Sequence, residues 1–465
     1  MTAMAASRPA VLVVDGTGRG HALCDLFVRT DPEVIVYYGP GCDVIEHGRI
    51  IPAPSVSLLD PGTALDFLAG HPVDFVFVAN IDALSLGYAD ALRRAGHAVI
   101  GPSAAAARLE ASKAEGKRFC VAHGIPVPEF AVFDDPAAAK AYVRSAPYPC
   151  VVKADGLTPD GDGSLVCDTA VEAEAAVDRL ARERGARSLV VEERVSGPEI
   201  SVLALVDGSS ALMFPAARDY KRALEGDTGK NCDGMGSIAP HPLDGPRLRA
   251  RLRRELVDPL MRGLRGEGLE FTGFVYLGVV LTARGPVVLE VNARFGDSEA
   301  EVVLPSVRSD FTRLCRAVLE GRLDRERLEV DGLARCSVAL VQGCLDPDDP
   351  QALPGWPFGR FAAGQPVRGL PAIDPREATV FYANLRRDGA GRPITTGGRV
   401  LHVVGAGVTA VEAQARAYRQ AARVSFPGKR LRTDIGRTVT PALAPAVVEA
   451  DTVAAAAVSG GRSRP

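Results

Sequence analysis

Glu290, Asn292 and Arg294 stand at alternate positions in VVLEVNARFGDSE, residues 287–299. In an extended strand that spacing puts all three side chains on one face. A carboxylate and an amide offer the hard oxygen ligands that Mg2+ takes, with Mn2+ as a substitute, and neither belongs in an apolar strand unless it is paired. Arg294 adds a rigid cationic fork for phosphate or carboxylate oxygens. Asp297 and Glu299 follow a glycine turn. The pattern is that of a metal–phosphate site.

Lysine is scarce, seven residues against 47 arginines, so its placement is informative. Lys153 ends the apolar run CVVK directly before ADGLTPDGDG and calls for an anionic partner. Lys113 precedes a helical run; taken singly it reads as a solvated helix residue. Two lysines aimed at a glycine-rich hairpin containing Gly161 and Gly163 suit a triphosphate, because they neutralise charge while the loop closes over it. Glu192 and Glu193 end the run SLVVEE and could accept from a base, and Glu199 from ribose hydroxyls; the plainer reading is a solvated strand edge.

Two further segments carry chemistry. In VVDGTGRGHAL a strand runs into Gly16, Gly18 and Gly20 and then a helix, so backbone N–H groups could hold an anion beside Arg19 and His21. A bare tight turn is the alternative. The G-x-G-x-G spacing and the lack of a ribose-binding acid argue against NAD. RDYKRALEGDTGKNCDGMGS, residues 218–237, has little periodicity and reads as a long substrate-enclosing loop with Asp219, Lys221, Arg222, Asp227 and Asn231 as candidates. A surface excursion is the other reading.

The elements that must position these groups form an α/β and α+β chain. VLVV, VIVYY, DFVFVA and HAVIG are buried parallel strands alternating with helices, an open doubly wound-like unit over residues 11–101. A helix runs from Ser103 to about Gly124, and a small βαββαβ lobe follows. The expected domains are an N-terminal α/β substrate-binding unit (1–102), a central unit (103–125 and 193–330), a lid (126–192), a C-terminal α+β domain (331–438) and a flexible tail (439–465). Thr409 and Glu412 read as a capping box opening the last helix.

The net charge of −3 argues against a general nucleic-acid binder, and no run of about 18 apolar residues reads as a membrane span. Nine cysteines without C-x2-C spacing, and no leader-like start, fit a reduced cytoplasmic protein without structural zinc. No Ser-His-Asp or Cys-His arrangement stands out.

The ordered set GTGRGHAL, LEASKAEGKRF, VVKADGL, VVEERVSGPEIS, RDYKR, GDTGKNCDGMGS, FTGFVYLGV, LEVNARFGDSE, GGRVLHVV and RTDIG resembles the phosphoribosylamine–glycine ligase family of the ATP-grasp superfamily, over about residues 11–437. The resemblance implies a multidomain ATP-grasp ligase that joins glycine to 5-phosphoribosylamine through an acyl phosphate, forming ADP and phosphate. It places ATP phosphates at Lys113 and Lys153, adenine and ribose between the stretch up to Val195 and Glu199, and Mg2+ at Glu290 and Asn292. Arg294 would steady transferring oxygens, with Asp219, Lys221 and Arg222 near the substrates. The turn with Arg19 and His21 would face the phosphoribosyl side. The implied partners are a small carboxylate and a small amine, with no nucleic acid and no membrane, in a monomer or homodimer.

Departures cluster in ligand-facing loops. The family's lid G-K-G reads with Asp162 in the lysine's place, and PNTGGMG becomes KNCDGMG, altering Lys230, Cys232 and Asp233. ANIDA stands for G-P-E-x-P, with Asp82 shifted by one position. Asp15 and Gly20 replace glycine and glutamate, while Ser298, Ala300 and Glu301 replace Pro, Thr and Gln. The expectation drawn from these changes is a working ligase with an altered acid or amine; the ordinary purine-pathway reaction and a silent relative are the alternatives.

Overall fold

The computed structural model describes residues 8–146, 149–158, 163–183, 185–186, 188–343 and 357–437. Gly161, Asp162, Cys344 and the tail 439–465 lie outside the described residues.

Strands of an all-parallel sheet are covered on both faces and read as near-continuous apolar runs. β1 (Ala10–Asp15), β2 (Ile35–Pro40), β3 (Ile50–Pro52), β4 (Phe75–Val78) and β5 (Val99–Ile100) form an all-parallel sheet in the order β3-β2-β1-β4-β5. The chain reverses its winding between β1 and β4, and loops leaving their carboxyl ends open a crevice there. The glycine turn follows β1 and Asn80–Asp82 follows β4, so both sit at that crevice.

The predicted helix from Ser103 to Gly124 is two helices, Ala104–Ala111 and Lys113–Ala122. Ser112 breaks the run: its hydroxyl accepts from the Glu115 N–H and donates to Asp155, which also accepts from the Ala114 N–H at 3.1 Å. The break leaves Lys113 at a helix start, tied to the end of a strand in the next lobe. That lobe is the expected βαββαβ unit. β6 (Phe130–Phe133), β7 (Cys150–Ala154), β8 (Ser164–Cys167) and β9 (Leu189–Glu193) run β6-β9-β7-β8, all neighbours antiparallel. Its helices Pro136–Val143 and Ala170–Glu183 enclose a separate small core around Val152 and Leu180.

The central sheet is antiparallel: β10 (Glu199–Val206), β11 (Ala211–Met213), β16 (Gly273–Thr282) and β17 (Gly285–Asn292), in the order β11-β10-β16-β17. Residues 218–240, expected as a loop, instead hold β12 (Arg218–Asp219), β13 (Arg222–Leu224), β14 (Thr228–Asn231) and β15 (Gly236–Ala239). β13 and β14 make a hairpin of their own. β12 and β15 join the C-terminal sheet, β12-β15-β18-β22-β19, built with β18 (Ala334–Gln342), β19 (Ala378–Tyr382) and β22 (Arg399–Gly407). β20 (Leu385–Arg387) pairs with β21 (Pro393–Thr395), and β23 (Lys429–Arg430) borders β18. The helix Ala410–Ala421 lies against β22, where a Cβ on Gly405 would fall 2.2 Å from the Ala413 carbonyl. Thr409 caps that helix through the Glu412 N–H, but Glu412 returns its carboxylate to the N–H of Val408, one residue before the cap.

Candidate active site

The metal-strand residues are aimed by an irregularity. Between Gly278 and Val279 the β16–β17 register shifts, so that Gly278 faces Glu290 while Val279 faces Val288. Such a bulge re-aims the side chains that follow it. Gly278 leaves the space required, since a Cβ there would stand 3.0 Å from Glu290 Cγ. Lys221 Nζ lies 3.1 Å from Glu290 Oε1 and holds that carboxylate well below the usual range against the opposing effect of burial; Lys153 and Lys113 add to this. Glu290 is therefore ionised, and Asn292 beside it is buried with Nδ2 unpartnered. An ionised carboxylate beside an amide side chain offers the oxygen donors that a hard divalent cation takes, whereas the Asn292 NH2 can only donate. Arg294 pairs with Glu110 at 3.0 Å; burial opposes its charge, but Glu110, Glu299 and Glu290 more than offset that.

Lys153 and Lys117 both pair with Glu192 at 2.5 Å, and all three are buried. Glu192 thus accepts from its surroundings, one lysine on each carboxylate oxygen. Burial outweighs these pairings for Lys117 and lowers its pKa, whereas the two lysines carry Glu192 below its usual value despite burial. Lys113 is not a solvated helix residue: it donates to the Gly156 carbonyl at 2.8 Å, and burial lowers its pKa. Glu193 sits at the rim, paired with Arg284 at 3.1 Å.

In the 218–237 segment, burial and neighbouring Glu299 push the Asp219 carboxyl up to about 8, while Ser298 Oγ donates to it at 2.7 Å. Asp227 is occupied structurally, bridging Arg218 at 3.1 Å and Arg432 at 2.8 Å from a left-handed backbone position. Arg222 donates to the Gly229 carbonyl, closing the hairpin. Burial pushes the Cys232 thiol up to about 12, so it is no nucleophile.

At the glycine turn, Arg19 is buried and pairs with Asp15 at 2.8 Å. Gly20 has no room for a side chain: a Cβ would meet Tyr38 Oη at 2.5 Å and Asp15 Cβ at 2.7 Å. Asp15, where the family motif has glycine, is the acid that neutralises Arg19, while position 20, where the motif has glutamate, is glycine. His21 does not supply charge to the site. It stacks on Tyr382, its Nδ1 accepts from the Tyr382 N–H at 3.0 Å, and burial lowers its pKa to about 3. Asp297 pairs with Arg399 and stays ionised, those charges outweighing burial.

One cavity of about 1340 Å3 collects these groups. Lys113, Lys153, Glu290, Asn292 and Arg294 line it together with Glu192, Glu193, Val195 and Glu199. Thr17, Arg19 and Asp82 reach it from the N-terminal crevice, and Asp219, Lys221, Arg222, Asp227, Asn231 and Asp297 from the opposite side. Gly16, Gly18, Gly163 and His21 shape neighbouring backbone or packing and do not line it. Lys117, Glu110 and Arg399 were missed in the sequence; only Lys117 carried a signal there, four residues beyond Lys113 on one helix face.

Among the described residues no helix is long and apolar enough to cross a membrane. The chain matches phosphoribosylglycinamide synthetase in its N domain (residues 9–110), its ATP-grasp (A) domain (111–300) and its C domain (351–438). It is 37% identical to the phosphoribosylamine–glycine ligase of Vibrio cholerae serotype O1 over 92% of this chain and 97% of that one. It is 36% identical to the ligase of Chlorobaculum tepidum over 92% and 99%. The crystal structure of phosphoribosylamine–glycine ligase from Thermotoga maritima superposes with a TM-score of 0.74 at 29% identity, covering 91% of this chain and 99% of that one. An L-amino acid ligase from Bacillus licheniformis shares the fold at 16% identity, with a TM-score of 0.58 over 91% and 99% of the two chains. The three matched domains, the full-length relatives and the shared fold establish that this chain is an ATP-grasp carboxylate–amine ligase and belongs to the phosphoribosylamine–glycine ligase family.

Proposed function

We propose that the chain catalyses the reaction its relatives are named for, joining the carboxylate of glycine to the amine of 5-phosphoribosylamine while ATP is split to ADP and phosphate. The observation that carries this reading is the convergence of Lys113, Lys153, Glu290, Asn292 and Arg294 with Thr17 and Arg19 on one cavity. The first five form a polyanion-binding wall; the last two stand at the switch-point crevice, where α/β sheets bind ligands.

A carboxylate is a poor acyl donor until one of its oxygens is phosphorylated, so that phosphate can leave. Bringing two anions together requires positive charge on both. Lys113 and Lys153 would neutralise the nucleotide phosphates, and Arg294, fixed by Glu110, would orient the transferring oxygens. Glu290 and Asn292 would hold Mg2+, which screens the phosphates when bound. Glu192 holds Lys153 in place through their ion pair. Amine attack on the acyl phosphate then builds an oxyanion in the same positive field and expels phosphate. The lobe 126–192 would act as a lid that excludes water from this intermediate, between the units 1–102, 103–125 with 193–330, and 331–438.

The altered-substrate reading rests on loop departures, and one prominent departure is compensated: Asp15 takes over the charge that Gly20 lacks. Lys230, Cys232 and Asp233 have no such offset, so the test is a panel of amino acids and amines read by ADP release and product mass. Phosphoribosylglycinamide is expected as the best product by kcat/KM. A tenfold better rate with any other pair would overturn the proposal.

A further inference from the structure

Asp297 and Glu301 stand one helical turn apart on Asp297–Val303, and His402 projects from β22 toward them. One ligand atom from each of the three lies within 4.8 Å of the others. Glu301 and His402 are fully buried, yet neither Glu301 oxygen nor His402 Nε2 has a hydrogen-bond partner. Buried polar atoms are costly when unsatisfied, and three at one point call for an occupant. Gly18 abuts the cluster: a Cβ there would fall 2.4 Å from Glu301 Oε1. His402 Nδ1 faces Glu301 Oε2 at 3.8 Å, and Ser337 Oγ lies 3.3 Å from the same nitrogen, so the ring is already turned toward the carboxylate.

We propose that Asp297, Glu301 and His402 form a second divalent-cation site, separate from the Glu290–Asn292 pair. Two carboxylates and one imidazole suit Zn2+ or Co2+ better than Mg2+, which prefers oxygen ligands and retained waters. Asp297 lines the main cavity and gives the ion its entry, whereas Glu301 and His402 lie behind it. Arg399 stays on Asp297 and competes for its charge, so affinity rests chiefly on Glu301 and His402. The ion is structural: it ties the helix Asp297–Val303 to β22 directly beneath the first helical turn after β1. This proposal is independent of which amide the enzyme makes.

The test uses full-length, nucleotide-free protein stripped with EDTA, equilibrated with Zn2+ and then dialysed. Elemental analysis should find about one Zn2+ per chain in the wild type and in Glu290→Ala. Affinity should fall in Glu301→Gln and in His402→Gln by more than the roughly 10- to 100-fold that losing an outer-shell partner costs. Co2+ in place of Zn2+ should give d–d absorption without thiolate charge transfer, and the ion should raise the melting temperature of the wild type only. No retained metal in the wild type, equal retention in both variants, or a cobalt–thiolate band placing the ion on cysteine would each overturn the site.

Discussion

Lys221 on the 218–237 segment donates to Glu290 on β17 over 3.1 Å, so the carboxylate proposed to take a cation is already matched by one. Lys221 is in turn held above its usual pKa: burial opposes its charge, but Glu290, Tyr276, Glu199 and Asp219 outweigh that. Replacing Lys221 by Met leaves Glu290 free for the ion but removes positive charge from the transition state. Turnover should fall about 100-fold, as for loss of one transition-state donor, while the Mg2+ concentration for half-activity does not rise. ADP release across a Mg2+ titration checks this; unchanged kcat with a higher Mg2+ requirement would count against it.

Glu110 holds Arg294 through their ion pair. Glu110→Ala removes one side of a buried pair and the acceptor for the Ala293 N–H. The expected loss is about 3–5 kcal/mol of stability, seen in urea unfolding. Glu110→Gln keeps the acceptor; it should lower kcat more than it raises KM, and a double cycle with Arg294→Lys should be non-additive.

Asp219 titrates near neutrality because burial and Glu299 raise it to about 8. Its folded form binds a proton that the unfolded chain releases near pH 4. Its contribution is therefore fully present at low pH and is lost as pH rises through about 8. Asp219→Asn should flatten stability between those limits by at most about 1.4 kcal/mol per pH unit. Denaturation midpoints at several pH values measure this; an unchanged slope would place the proton elsewhere.

The acid exchange at the glycine turn has its own signature. Gly20→Glu alone forces a side chain into Tyr38 and Asp15, for about 1–3 kcal/mol. Asp15→Gly alone leaves Arg19 buried without its acid. The double variant should recover part of both losses, read as thermal midpoint and kcat/KM. Strict additivity would mean that the two positions do not share a role.

The metal strand was legible because three polar residues at alternate positions in an apolar run have few structural explanations, and Lys153 was legible because it closes such a run. The partners of Glu192 were not legible: one of them, Lys117, comes from a helix more than 70 residues upstream, and no local pattern reports that pairing. His21 was misjudged because its neighbours, Phe381 and Tyr382, come from the far end of the chain. β12 to β15 were hidden by length, since strands of two to four residues are too short to show a period of two. The break at Ser112 left a readable serine, but the acid that completes it, Asp155, lies in another lobe.

β15 is held on one side by β12 and on the other by β18, so the stretch that carries Asp219 and Lys221 is stitched to strands contributed from beyond residue 330. Cutting the gene after the nucleotide-binding region would not yield a miniature catalyst. It would strip β15 of a partner, leave raw edge amides exposed to self-association, and release the lysine that pairs with Glu290.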